Sequence, residues 1–167
     1  FIDHLIRFGY TDEFPQKFES IIGEYFRFLG YDTDSLGYGK GRVADLLAKY
    51  NHPTIYAKSY ALIIDAKATS KSYNFPASDL RKMKEYIKSH GPELAKQTIL
   101  NHAFSFISSN FNSNIIKAFK EISQETHING CAIQILELIK LGDKVRNQKV
   151  LIENIFPLYT TNAEFVI

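Results

Sequence analysis

An apolar run, Leu62-Ile63-Ile64-Asp65-Ala66-Lys67-Ala68, closes on a carboxylate and an amine, and a second carboxylate stands twenty residues upstream in Gly41-Arg42-Val43-Ala44-Asp45-Leu46-Leu47. Charged side chains are rare at the end of a buried strand unless they are partnered or reactive. Alternate residues of a strand share a face, so Asp65 and Lys67 point the same way, about 7 Å apart along the backbone. If the two segments pair, Asp45 joins them. Magnesium takes oxygen ligands, commonly one or two carboxylates with water and phosphate oxygens; Asp45, Asp65 and the backbone carbonyl of Ala66 supply that kind of donor set. A cation held there would neutralise charge on a phosphodiester under in-line attack and acidify a water. Lys67 could orient or deprotonate that water, or stabilise the charge of the pentavalent phosphorane. The competing reading is an edge strand whose solvated end carries a surface ion pair, an arrangement that contributes only about 0–1 kcal/mol.

Such a trio works only if rigid elements hold it. Phe14, Phe18, Ile21, Ile22, Tyr25, Phe26 and Leu29 recur at three- and four-residue spacing, predicting a helix with Pro15 in its first turn and Gly30 at its stop. Residues 1–13 have no clear period, and Tyr31 to Gly41 reads as a glycine-rich loop. Val43–Leu47 and Ala61–Ala68 read as strands of an antiparallel hairpin, with a turn signal at Asn51-His52-Pro53. A helix opens at Pro76 and stops at His90-Gly91-Pro92. Then follow a strand at Phe104–Ser108, a helix from Asn112 to Gln124, a strand at Gly130–Ile133, a helix from Ile135 to Leu141 ended by Gly142, and a last helical stretch at Val150–Ile155 stopping before Pro157. The alternation predicts an α/β fold, a mixed central β-sheet flanked by helices.

Composition bounds the function. At 167 residues, with 45% hydrophobic and 23% charged residues, the chain suits one folded domain. A formal charge of +2 permits nucleic-acid binding only through a local basic surface. The single cysteine, Cys131, excludes an internal disulfide and a cysteine-based zinc site, which fits a reducing compartment. The five histidines show no metal-ligand spacing, and no apolar run has the length of a membrane span. Starting at Phe1 rather than Met, the chain reads as a fragment of a larger protein.

The order of these landmarks resembles the PD-(D/E)xK nuclease superfamily, and specifically the FokI-type cleavage domain of type IIS restriction endonucleases, with its restriction-endonuclease-like fold. The resemblance runs over about residues 14–167. It is carried by Phe18-Glu19, Leu29-Gly30-Tyr31, Asp45, Ile63-Ile64-Asp65-Ala66-Lys67-Ala68, Ser72-Tyr73-Asn74-Phe75-Pro76, Met83, Tyr86, Phe104–Ser108, Phe111, Asn129-Gly130 and Glu164-Phe165. It implies metal-binding acids at Asp45 and Asp65, a catalytic lysine at Lys67, and Glu19 as a helix acid facing the site. The cofactor implied is Mg²⁺, with Mn²⁺ as a substitute. Ala44 stands where the family has proline, and Gly37-Tyr38-Gly39-Lys40-Gly41-Arg42 replaces a Gly-Gly-Ser-Arg run.

The implied partner is double-stranded DNA, cut without intrinsic sequence preference and contacted by Lys40, Arg42, Lys71, Ser72 and Asn74. One site cuts one strand, so a transient homodimer is expected, through Arg81 and Glu85 one helical turn apart; the order of their charges is the reverse of the family's, which preserves self-pairing across a two-fold axis. Target recognition would come from a separate domain or subunit, and the setting would be the bacterial cytoplasm. Two other readings stand beside this one. The first is a structure-selective nuclease of the same superfamily, resembling a junction resolvase. The second is a nuclease-like module that binds DNA or dimerises without cutting.

Overall fold

The computed structural model describes residues 1–36 and 44–167. Among them, helices α1 (Ile2–Gly9), α2 (Pro15–Phe28), α3 (Ala77–Lys96), α4 (Ile115–Thr126) and α5 (Ile135–Arg146) enclose six strands. The strands are β1 (Asp32–Ser35), β2 (Leu46–Tyr50), β3 (Tyr60–Lys67), β4 (Asn101–Ser108), β5 (Gly130–Gln134) and β6 (Ala163–Glu164). They form one sheet in chain order. β1 pairs antiparallel with β2, and β2 with β3, whereas β4, β5 and β6 continue parallel to β3. The mixed α/β fold expected from the sequence is thus the fold observed.

Period-two alternation divides the core between the faces of the sheet. Leu46, Ala48, Leu62, Ile64, Ala103, Ile107, Cys131 and Ile133 pack with α2 and α5 on one face. Leu47, Ala61, Ile63, Phe104, Phe106 and Ala132 pack with α3 and α4 on the other. Beneath the first face, Tyr60 donates its hydroxyl hydrogen to the Ile152 carbonyl at 2.8 Å, so the Tyr31 hydroxyl, 2.7 Å away, donates to Tyr60. The hydroxyl of Tyr159, 3.1 Å from that of Tyr31, completes a buried chain tying the C-terminal segment to the sheet.

Several boundaries differ from the sequence reading. Residues 1–13 contain α1, whose buried residues, Leu5 and Gly9, are too few to produce a visible period. The stretch read as a loop after Tyr31 contains β1, an exposed polar strand made by pairing with β2 and by Lys49, 3.0 Å from Asp34 and 3.6 Å from Asp32. Helix α3 runs through Gly91 and Pro92 because fully buried Leu94 anchors its last turn. Gly142 lies inside α5, where a Cβ would collide with the Tyr25 ring and hydroxyl; its smallness serves packing and stops nothing. Pro157 sits in the first turn of a second short 3-10 segment, Phe156–Thr160, that follows Ile152–Asn154. The pairing of β6 with β5 adds a strand that two residues cannot advertise. Gly30, at φ +101°, ends α2 as expected. No described helix is long and apolar enough to cross a membrane.

Candidate active site

The β2–β3 register sets the site. Leu46 lies opposite Ile64, so Asp45, one residue before β2, falls opposite Asp65 on the face shared with Leu47 and Ile63. The Ala66 N–H donates to Asp45 Oδ2 at 2.9 Å, fixing that carboxylate against β3. β3 is an interior strand, flanked by β2 and β4, and Asp65 is only 1% exposed. The solvated edge strand with a surface ion pair is therefore not what this chain builds.

One oxygen of Asp65, Oδ1, lies 2.9 Å from Lys67 Nζ, while Oδ2 is buried and meets no donor. The Asp45 and Asp65 carboxyl groups, opposite each other across the β2–β3 pair, each act on the other's ionisation. Two facing acids in a buried site favour a shared proton or a cation between them. Burial pushes the pKa of Asp65 well above the usual carboxylate range, and the charge of Asp45 adds to the rise against the opposing pull of Lys67. Burial likewise raises Asp45, with a further push from Glu19. Glu19, on α2, is itself raised by burial and then by the charge of Asp65. Burial works against the ammonium of Lys67, but Asp65, Asp79 and Asp45 outweigh it and hold its pKa above the ordinary lysine value. Tyr86, on α3, is pushed up to about 12 by burial and by the charges of Asp65 and Asp45. The cluster is negative, with the charges of Asp45, Asp65, Glu19 and Asp79 acting around Lys67.

The residues expected at the site thus divide. Asp45, Asp65 and Lys67 converge, and Ala66 lies between them, meeting Asp45 through its N–H. Glu19 is near enough to act through its charge. Among the described residues, no three His, Cys, Asp or Glu side chains are placed to cage an ion. A cation here would rest on Asp45 and Asp65 rather than on a closed protein cage, and the orphaned oxygen of Asp65 with its carboxyl neighbour fits such an ion. Open coordination is the usual arrangement for Mg²⁺.

Beyond Lys67 the chain is braced from two sides. The Thr69 N–H donates to the Gly9 carbonyl at 3.1 Å, and Ser70 donates to Asp12 through its N–H at 3.2 Å and its hydroxyl at 2.6 Å. From the end of β4, Ser108 Oγ donates to the Lys67 carbonyl at 2.7 Å, and from the residue after it Ser109 Oγ donates to that of Thr69 at 2.8 Å. Lys71, Ser72 and Asn74 are exposed on this braced segment, with the Ser72 hydroxyl accepting from Asn110 Nδ2 at 3.2 Å. Lys40 and Arg42 lie outside the described residues. Arg81 is exposed and Glu85 half-buried on α3. Sequence reasoning missed Asp79, in the first turn of α3, which lies 3.5 Å from Lys67 Nζ. Its signal was weak, because an acid at a helix N-terminus is common.

Comparison with known proteins bears on the family and the fold of the chain. The family described as "FokI, cleavage domain" matches residues 1–166. A type II restriction enzyme, StsI of Streptococcus sanguinis, is 26% identical over 146 residues; the match covers 80% of this chain and 23% of that enzyme. The solved structure of restriction endonuclease FokI bound to DNA superposes with a TM-score of 0.85 at 21% identity, covering 99% of this chain and 30% of that one. A second solved structure, of restriction endonuclease FokI, gives a TM-score of 0.83 over 98% of this chain, again at 21% identity and 30% of the other chain. The chain therefore spans under a third of the length of these relatives.

Proposed function

Because the chain belongs to the FokI cleavage-domain family, we propose that it is a DNA endonuclease domain of type IIS restriction enzyme character, hydrolysing phosphodiester bonds of double-stranded DNA at the Asp45–Asp65–Lys67 site. The observation that carries the reading is the buried carboxyl pair with an orphaned oxygen and a lysine fixed alongside it. Nothing in folding calls for this arrangement, since a buried acid without full pairing lowers stability.

When bound, Mg²⁺ would supply Lewis-acid stabilisation of phosphate charge and a more acidic water. Asp45 and Asp65 would hold it, their negative charge matched by the cation rather than by a shared proton. Lys67 carries an ammonium kept charged by its carboxylate neighbours, so its natural role is to orient the attacking water and to stabilise charge growing on the phosphate oxygens. Glu19 adds negative potential behind the pair. Lys71, Ser72 and Asn74, held on the braced segment, are suited to phosphate contacts, which fix a duplex in place without reading its sequence. Lys40 and Arg42 belong to the same proposal.

Cutting both strands would use a transient homodimer through Arg81 and Glu85, and target choice would come from a separate recognition domain or subunit. Incubation of the protein with supercoiled plasmid tests the reading. Nicked and linear products should appear with Mg²⁺ or Mn²⁺ and disappear with chelator, and duplexes of unrelated sequence should be cut alike. Intact plasmid at every cation concentration would sink it.

A further inference from the structure

Lys67 Nζ is held between carboxylates from two elements, Asp65 Oδ1 at 2.9 Å on its own strand and Asp79 Oδ2 at 3.5 Å on α3. The second carboxylate is itself aimed. Tyr73 donates its hydroxyl hydrogen to the same Oδ2 at 2.7 Å. The Tyr73 ring is fixed against Phe75 and Phe106, with centroids 4.9 and 5.8 Å away. Its backbone is tied down too, its N–H donating to the Asn110 carbonyl at 2.9 Å and its carbonyl accepting from Asn112 at 3.1 Å. Lys82 Nζ approaches the other oxygen, Oδ1, at 3.7 Å.

We propose that Asp79, oriented by Tyr73, is a positioning residue that holds the Lys67 ammonium at the active site when Asp65 is engaged by a cation. The inference rests on the endonuclease reading above. Asp65 cannot serve a cation and Lys67 with its full charge at once, and a cation beside Lys67 repels the ammonium. Asp79 then supplies the remaining hold, from a separate element, the first turn of α3. A favourable interaction with the helix N-terminus accounts for an acid in this turn. It does not account for the convergence of Lys67 and a nearly buried tyrosine hydroxyl on one oxygen. Asp79 acts through Lys67 and is not placed on the reacting phosphate.

Single-turnover cleavage at saturating protein and Mg²⁺ tests this, with Asp79→Asn, Tyr73→Phe, the double variant and Asp79→Glu. The rate should fall about ten- to a hundredfold in Asp79→Asn, as for other groups that orient a functional side chain, while DNA affinity is not weakened. Tyr73→Phe should cost less and add nothing in the Asp79→Asn background, and Asp79→Glu should recover part of the loss. A second readout needs neither DNA nor turnover and is taken at saturating Mg²⁺, where Asp65 is engaged. The ¹⁵N resonance of the Lys67 ammonium should be sharp, with slowly exchanging protons, in the wild type and broadened in Asp79→Asn at unchanged melting temperature. Wild-type rates in Asp79→Asn, or a Lys67 resonance indifferent to that change, would overturn the proposal. A wild-type protein that cuts no DNA would defeat the endonuclease reading instead, and the Lys67 resonance would still report whether Asp79 holds the amine.

Discussion

Asp65 is a carboxylate placed where a carboxylate is least at ease, and its consequences can be measured without any substrate. Burial raises its pKa and that of Asp45 above the ordinary 3.8. Without a cation, the folded chain then binds protons more tightly than the unfolded chain between that ordinary value and the raised ones. Stability owed to this pair is therefore lost as pH rises through that window. Asp65→Asn removes the penalty, so its stability advantage over the wild type should widen from acid to neutral pH in chelator, read by thermal melts. A widening in the opposite direction would contradict the account. Saturating Mg²⁺ should raise the wild-type melting temperature at neutral pH, by an amount equivalent to about 2.7 kcal/mol at a hundredfold excess over Kd. Lys67→Ala separates ligand from reagent. It should lower cleavage by about a hundredfold or more while calorimetry still detects Mn²⁺ binding.

At the scale of elements, the site depends on β3 being gripped from both sides. Phe104 and Phe106 of β4 and Phe119 of α4 are fully buried where α3 and α4 cover the sheet, and Phe106 also packs on Tyr73 and Phe75. Gly130 begins β5 where a Cβ would stand 2.5 Å from both the Phe104 ring and the Phe104 carbonyl oxygen. Because backbone cannot swing aside as a side chain can, Gly130→Ala should destabilise by about 1–3 kcal/mol in urea denaturation. A neutral result would mean that β4 and β5 yield more readily than their packing implies.

The same contacts show why parts of the molecule were legible in the sequence. α2 carries apolar residues at a clean period of 3.6 and β3 is an unbroken apolar run, so both were readable, and charges closing that run marked Asp65 and Lys67. β1, Asp-Thr-Asp-Ser, has no apolar residue; only its pairing makes it a strand. Pro92 and Gly142 look like stops because the sequence displays a missing N–H or Cβ, but not the burial of Leu94 or the Tyr25 ring that lies against Gly142. Asp79 stayed hidden because its meaning depends on how α3 crosses β3.

At the scale of the whole molecule, the described residues present one candidate site for the two-stranded substrate proposed above. In the proposed two-fold pair, Arg81 of one copy faces Glu85 of the other. Arg81→Glu would set like charges together and should reduce linear product relative to nicked product about tenfold or more. Combining Arg81→Glu with Glu85→Arg should restore it. Equal linear product from the single variant would remove this face from the pairing surface. A paired mechanism also makes double-strand cutting rise more steeply than first order with protein concentration, whereas nicking need not.

In the proposed mechanism the buried Asp45–Asp65 pair is the cation-dependent seat of phosphodiester hydrolysis. Plasmid cleavage in Mg²⁺ by wild type and Asp65→Asn, compared at equal concentration with folding checked by circular dichroism, tests it most directly. The wild type should nick and linearise the plasmid, and the folded variant should leave it supercoiled. Mg²⁺-dependent cutting by Asp65→Asn at the wild-type rate would contradict the account.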